Sequence, residues 1–328
     1  MNNPRLVQKF NAGIAFLKLA ACFGVVSMHF GAYGFFRKAA VPTFVLVSFY
    51  LSARLFEKVN LQDLGRRIRR LAIPFFAWGI ISLLCWWACG SEVTGRIVLM
   101  QLTCGRADIV SAGHLYYLEV CVIMTLILYA LPRKRFDLWL VAVIVFSFCL
   151  QYCNLNYRIF HPMGYNAMNT FGRICEFITY ASAGLLLAHV MGWFRAKCTS
   201  KWFWFICVMG FCLAGVLYAF KLIPTPLGFA SQGIAAFLMT VTFNLPFVVL
   251  GEYLQSKGTS QSSVPMRVLQ YVSSLTGGMY YIHVLVGTAL VVVFGIAHSL
   301  ICTILVFCAS AVATIILGKA RCLSWLVK

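Results

Sequence analysis

Ten apolar runs follow one another through this chain, at about 13–33, 39–56, 71–89, 114–131, 138–153, 172–192, 202–220, 229–250, 275–297 and 299–318. A helix needs about twenty such residues to cross the ~30 Å hydrocarbon core of a bilayer. Lipid satisfies no backbone N–H or C=O, so only helices and closed barrels span it. Barrel strands alternate apolar and polar residues over about ten positions, and these runs do not. The pattern predicts an all-α fold, a polytopic membrane helix bundle of about ten transmembrane helices. Charged residues make up 11% of the 328, against roughly 25% in a soluble domain. The bundle is expected to occupy 1–328 as a single domain with no appended soluble domain.

The formal charge of +19 does not form one basic patch, so a nucleic-acid partner is not expected. The Lys and Arg residues fall in short loops and read first as orientation signals. With the N-terminus inside, about 19 basic residues lie on the inner side and about 6 on the outer. Both termini are therefore expected to be cytoplasmic. The first apolar run contains Lys18 and His29 and lacks a small-x-small cleavage site, which argues against a signal peptide. Residues 90–113 and 154–171 are the long outer loops, and 251–274 reads as a polar inner linker. The 14 cysteines show no Cys-x-x-Cys and no metal-ligand spacing, so no metal site is expected.

Ionisable groups inside a membrane are costly and usually serve a function. Lys18 and His29 stand eleven residues apart, three helical turns plus about 20°, and so share one face roughly 16 Å apart. His29 has the chemistry of a proton acceptor near neutral pH, and Lys18 also has the reach to snorkel to the inner surface. The run Gly65-Arg66-Arg67-Ile68-Arg69-Arg70 precedes Pro74 on the inner side. From composition it reads first as a positive-inside signal that binds anionic lipid, and second as a phosphate clamp. His114 and Tyr117 share a face at the outer start of the fourth run, where an aromatic belt also places such residues. Thr276, Tyr280 and His283 form a polar stripe beside Gly277 and Gly278, which would admit a neighbouring helix. Arg173 and Glu176 are expected to pair, and His161, His189 and His298 read as interface residues.

Taken in order, these segments resemble the acyltransferase 3 family of integral-membrane O-acyltransferases. The family opens with Arg-x10-His, where this chain has Lys18 and His29. Its second helix resembles Val41-Pro42-Thr43-Phe44-Val45-Leu46-Val47-Ser48-Phe49, with Phe49 in place of the usual glycine. Its Arg-x-x-Arg element resembles Arg67-Ile68-Arg69-Arg70. The later motifs resemble His114-Leu115-Tyr116-Tyr117-Leu118 and Thr276-Gly277-Gly278-Met279-Tyr280-Tyr281-Ile282-His283. The resemblance implies a multi-pass enzyme of the bacterial inner membrane. Acetyl-coenzyme A would be a cytoplasmic co-substrate, with no permanently bound cofactor, and the acceptor a hydroxyl of a cell-surface or lipid-linked glycan. It implies catalytic roles for His29 and Lys18, coenzyme binding by Arg66, Arg67 and Arg70, and substrate binding by His114, Tyr117, Tyr280 and His283. A secondary transporter or polysaccharide exporter with a Lys/His proton relay is the rival reading of the same pattern. The sequence sets no oligomeric state.

Overall fold

The computed structural model describes residues 11–31, 36–57, 60–104, 114–157, 165–197, 199–219, 233–256, 263–320 and 323–327. Among these there is no strand. The helices in chain order are α1 (Ala12–Phe30), α2 (Phe36–Leu51), α3 (Ala53–Glu57), α4 (Leu61–Ala88), α5 (Gly95–Cys104), α6 (Tyr116–Ala130), α7 (Phe136–Tyr157), α8 (Tyr165–Lys197), α9 (Lys201–Ala219), α10 (Ile234–Ser256), α11 (Val264–Phe294) and α12 (Leu300–Lys319). Seven are long and apolar enough to cross a membrane, and α2, α6 and α9 are shorter apolar helices. These ten coincide with the ten runs of the sequence. The short helices α3 and α5 are additions.

The helix ends differ from the hydropathy limits. The third crossing was expected from residue 71, yet α4 begins at Leu61, so the basic run 65–70 lies inside the helix rather than ahead of it. Asn60 caps it by accepting the N–H groups of Gln62 and Asp63, and arginines sit well in a helix that leaves the lipid. The expected inner linker 251–274 is mostly helical as well. Helix α10 continues to Ser256 and α11 starts at Val264, with Pro265 in the first turn where its fixed φ is tolerated. Of the expected outer loops, 90–113 contains α5 and 154–171 is narrowed by α7 and α8.

Helix α1 sits inside the bundle and packs against α2, α10, α11 and α12. Its apolar window is 61% buried, that of α8 72%, and that of the peripheral α7 only 17%. The main core runs through Leu17, Leu46, Phe49, Leu118, Tyr180 and Val248. Both ends of α1 are fastened. At its start the Asn11 side chain accepts the Ile14 N–H at 2.9 Å and donates to Glu252 of α10 at 3.2 Å. Tyr50 at the end of α2 donates to the same carboxylate at 3.0 Å. A Cβ on Gly13 would stand 1.8 Å from the Phe247 carbonyl oxygen, so α1 and α10 touch backbone to backbone. At its other end Gly31 turns the chain at φ 106°, and Ser299 donates its N–H to the Phe30 carbonyl at 3.0 Å. After α12, a 3-10 turn at Ser324–Leu326 folds back into the bundle. The Trp78 indole donates to the Leu326 carbonyl at 2.9 Å.

Candidate functional site

Three imidazoles meet inside the bundle. His29 comes from the last turn of α1, His114 from the residues just before α6, and His283 from the middle of α11. The ring centroids lie 5.2 Å apart for His29 and His283, 6.1 Å for His29 and His114, and 4.8 Å for His114 and His283. His114 and His283 are 4% and 0% exposed. A ring nitrogen against a carbonyl oxygen must carry the proton, because two lone pairs repel. The Nδ1 of His283 faces the Tyr280 carbonyl at 2.8 Å, and the Nε2 of His114 faces the Tyr281 carbonyl at 3.2 Å. Both neutral tautomers are thereby set by adjacent α11 carbonyls. The remaining nitrogens, Nε2 of His283 and Nδ1 of His114, are lone-pair atoms, buried and without a hydrogen-bond partner among the described residues. Neutral rings held this way accept a hydrogen bond or a proton and do not donate to an oxyanion. Among the described residues, no set of His, Cys, Asp and Glu is arranged to hold a metal ion.

Tyr280 joins this cluster to a cavity. Its ring packs against His114 at 5.5 Å and His283 at 5.9 Å, and its hydroxyl donates to the His114 carbonyl at 2.6 Å. The other side of the ring meets Tyr117 at 5.4 Å and Phe44 at 5.8 Å. Those three residues line a cavity of about 490 Å³, whose walls also include Lys18, Ser48, Leu71, Thr276 and Val327. Of the two glycines expected to admit a neighbouring helix, Gly278 does so, packed against Thr314 of α12 and Val327 after it, whereas Gly277 faces the cavity with nothing within reach of an added Cβ. Lys18 and His29 therefore share the inward face of α1 but serve different compartments. Lys18 belongs to the cavity and His29 to the imidazole cluster, with Tyr280 touching both.

The arginine run divides. Arg66 is exposed and pairs with Asp63 at 2.9 Å, and Arg69 and Arg70 are exposed. Arg67 points into the protein. Its Nε donates to Thr125 Oγ1 at 3.0 Å, one terminal nitrogen to Ser52 Oγ, and the other to Ser48 Oγ at 3.3 Å. Its guanidinium carbon lies 4.6 Å from the Phe49 ring centroid. A sequence signal for this existed. Arg67 falls on the stripe of Leu64, Leu71, Phe75 and Trp78, and its basic neighbours do not. Arg173 lies over the Tyr116 ring at 3.6 Å, and Glu176 is buried nearby on α8. His189 and His298 are exposed, and His161 lies outside the described residues. Sequence reasoning missed Ser48 as a site residue and missed Val327 in the cavity wall. No local pattern marks a segment that folds back onto Gly278.

The acyltransferase 3 family model, an acyltransferase domain, matches residues 11–318. The chain belongs to the acyltransferase 3 family. It is thus a membrane acyltransferase built as an all-α bundle. The matched segment contains every imidazole of the cluster and all the cavity residues named above except Val327. No curated protein and no solved structure matches the chain.

Proposed function

We propose that this acyltransferase moves an acyl group, acetyl by preference, from cytoplasmic acyl-coenzyme A to a hydroxyl of a cell-surface or lipid-linked glycan at the bacterial inner membrane. The observation that carries this reading is the packing of His29 against two imidazoles whose tautomers are fixed by α11 carbonyls. The excess of Lys and Arg on one side supports a cytoplasmic position for the Lys18 cavity. The coenzyme phosphates rest on the exposed Arg66 and Arg70, and the thioester arm enters the cavity past Lys18. His29 takes the proton of the acceptor hydroxyl as that oxygen attacks the thioester carbonyl. The new C–O bond forms, the C–S bond breaks, and the imidazolium returns its proton to the departing thiolate. The lone pairs of His114 and His283 receive hydrogen bonds from hydroxyls of the acceptor. Tyr117 and Tyr280 line the junction, and the Tyr280 ring must turn aside for thioester and hydroxyl to meet.

The test is transfer of labelled acetyl from acetyl-coenzyme A in membranes. His29→Ala should lower it at least about 100-fold, the low end for loss of a general base. A folded His29→Ala protein with full transfer ends the proton-acceptor role. Mass analysis of surface glycan from cells with and without the protein should show a shift of one acyl group. Substrate uptake into vesicles without acyl transfer would instead support the transporter reading.

A further inference from the structure

Among the described residues, Ser48 is the one hydroxyl of the Arg67 network whose hydrogen meets no acceptor. Arg67 donates to three hydroxyl oxygens. Ser52 passes its own hydrogen to the Ser48 carbonyl at 2.8 Å, and Thr125 passes its hydrogen to the Cys121 carbonyl at 2.7 Å. Ser48 Oγ accepts from the guanidinium at 3.3 Å, and its hydrogen has no protein acceptor among the described residues. Ser48 also lines the 490 Å³ cavity, with Lys18 in the same wall. A hydroxyl that accepts from a cation is polarised and becomes a stronger donor. Half-buried in the cavity wall, such a donor favours a ligand that brings an acceptor oxygen to it.

We propose that Ser48 is a binding residue for the acyl donor, its hydroxyl donating to a carbonyl oxygen of the acyl-pantetheine arm, with Arg67 as the positioning residue behind it. This rests on the coenzyme A reading above. It removes Arg67 from the phosphate clamp, since at least three of its five N–H groups are taken by Thr125, Ser52 and Ser48, the last of them in the cavity wall. The ligand chemistry is an extended arm bearing amide and thioester carbonyls. Lys18 supplies the one cationic group of the named cavity lining.

The experiment titrates purified full-length protein with acetyl-coenzyme A and with S-acetylpantetheine, which has the arm but no nucleotide phosphates. Ser48→Ala should weaken both about tenfold, the lower range for loss of a charge-assisted hydrogen bond. Ser48→Thr keeps the hydroxyl and should bind within about twofold of wild type. Arg67→Gln should weaken S-acetylpantetheine by a similar factor. The Ser48→Ala, Arg67→Gln double variant should then be no weaker than Arg67→Gln alone, because one residue acts through the other. Thermal unfolding checks that the variants fold. A merely structural Ser48 would lower the melting temperature and leave both affinities unchanged, and that result overturns the proposal. So does an Arg67→Gln protein that loses acetyl-coenzyme A binding but holds S-acetylpantetheine normally. Wild-type protein that binds neither compound rejects the coenzyme reading itself. Wild-type binding with an indifferent Ser48→Ala rejects only the assignment of Ser48.

Discussion

At one end of the bundle Arg66 meets Asp63 in the open, with side chains 64% and 47% exposed. At the other, His283 is wholly buried and its Nδ1 faces the Tyr280 carbonyl. Water and salt screen the first pair, and its loss strands nothing. The second group has no solvent to fall back on, so each hydrogen bond decides which nitrogen is basic. Arg67 shows that one residue step around a helix is enough to move from the first regime to the second. It follows Arg66 directly in sequence yet is consumed by three hydroxyls of α2, α6 and the residue joining α2 to α3. Charge in this protein therefore carries little meaning until its surroundings are known.

The comparison can be broken by substitution at each end. The largest effect is expected for His29→Ala, whose loss of transfer should exceed that of any arginine variant by at least about tenfold. Equal losses for His29→Ala and Arg70→Ala in a transfer assay would erase the distinction. Next, His283→Phe keeps the ring packing but removes the lone pair, and transfer should fall about tenfold. An active His283→Phe enzyme would mean the lone pair has no partner in turnover. Tyr280→Phe removes the hydroxyl that holds the His114 carbonyl. It should cost about 1 kcal/mol of stability, read by thermal unfolding in detergent, and loosen the junction between cavity and imidazoles. The smallest effect belongs to Arg66→Ala, which should change stability by less than about 0.5 kcal/mol. A loss of 2 kcal/mol or more in the same unfolding measurement would show that the exposed end is not as solvated as its accessibility says.

The ten apolar helices were legible because hydropathy reports what lipid tolerates, although only seven of them are long and apolar enough to cross a membrane among the described residues. Their ends were not, because a helix that has left the lipid continues wherever a cap such as Asn60 and helix-forming arginines allow. The shared face of Lys18 and His29 followed from helical geometry alone. Their division between two compartments did not, since it depends on where Tyr280 of α11 places its ring. His29, His114 and His283 are separated by tens to hundreds of residues, and no local spacing announces that α1, α11 and the turn before α6 bring them within ring contact. Arg67 was readable from its stripe. Its three hydroxyl partners were not, because Ser48, Ser52 and Thr125 are ordinary residues until the guanidinium arrives.

The fastening of α1 at both ends has a kinetic consequence. A rod bolted through Gly13 to the backbone of α10, and through Gly31 to the start of α12, is a poor lever. Passage between the two compartments then falls to aromatic rings rotating in place rather than to a rocking bundle. A covalent tether between α1 and α10 at the Asn11 end should leave the turnover number unaltered, and the enzyme should work as well in a stiff bilayer as in a fluid one.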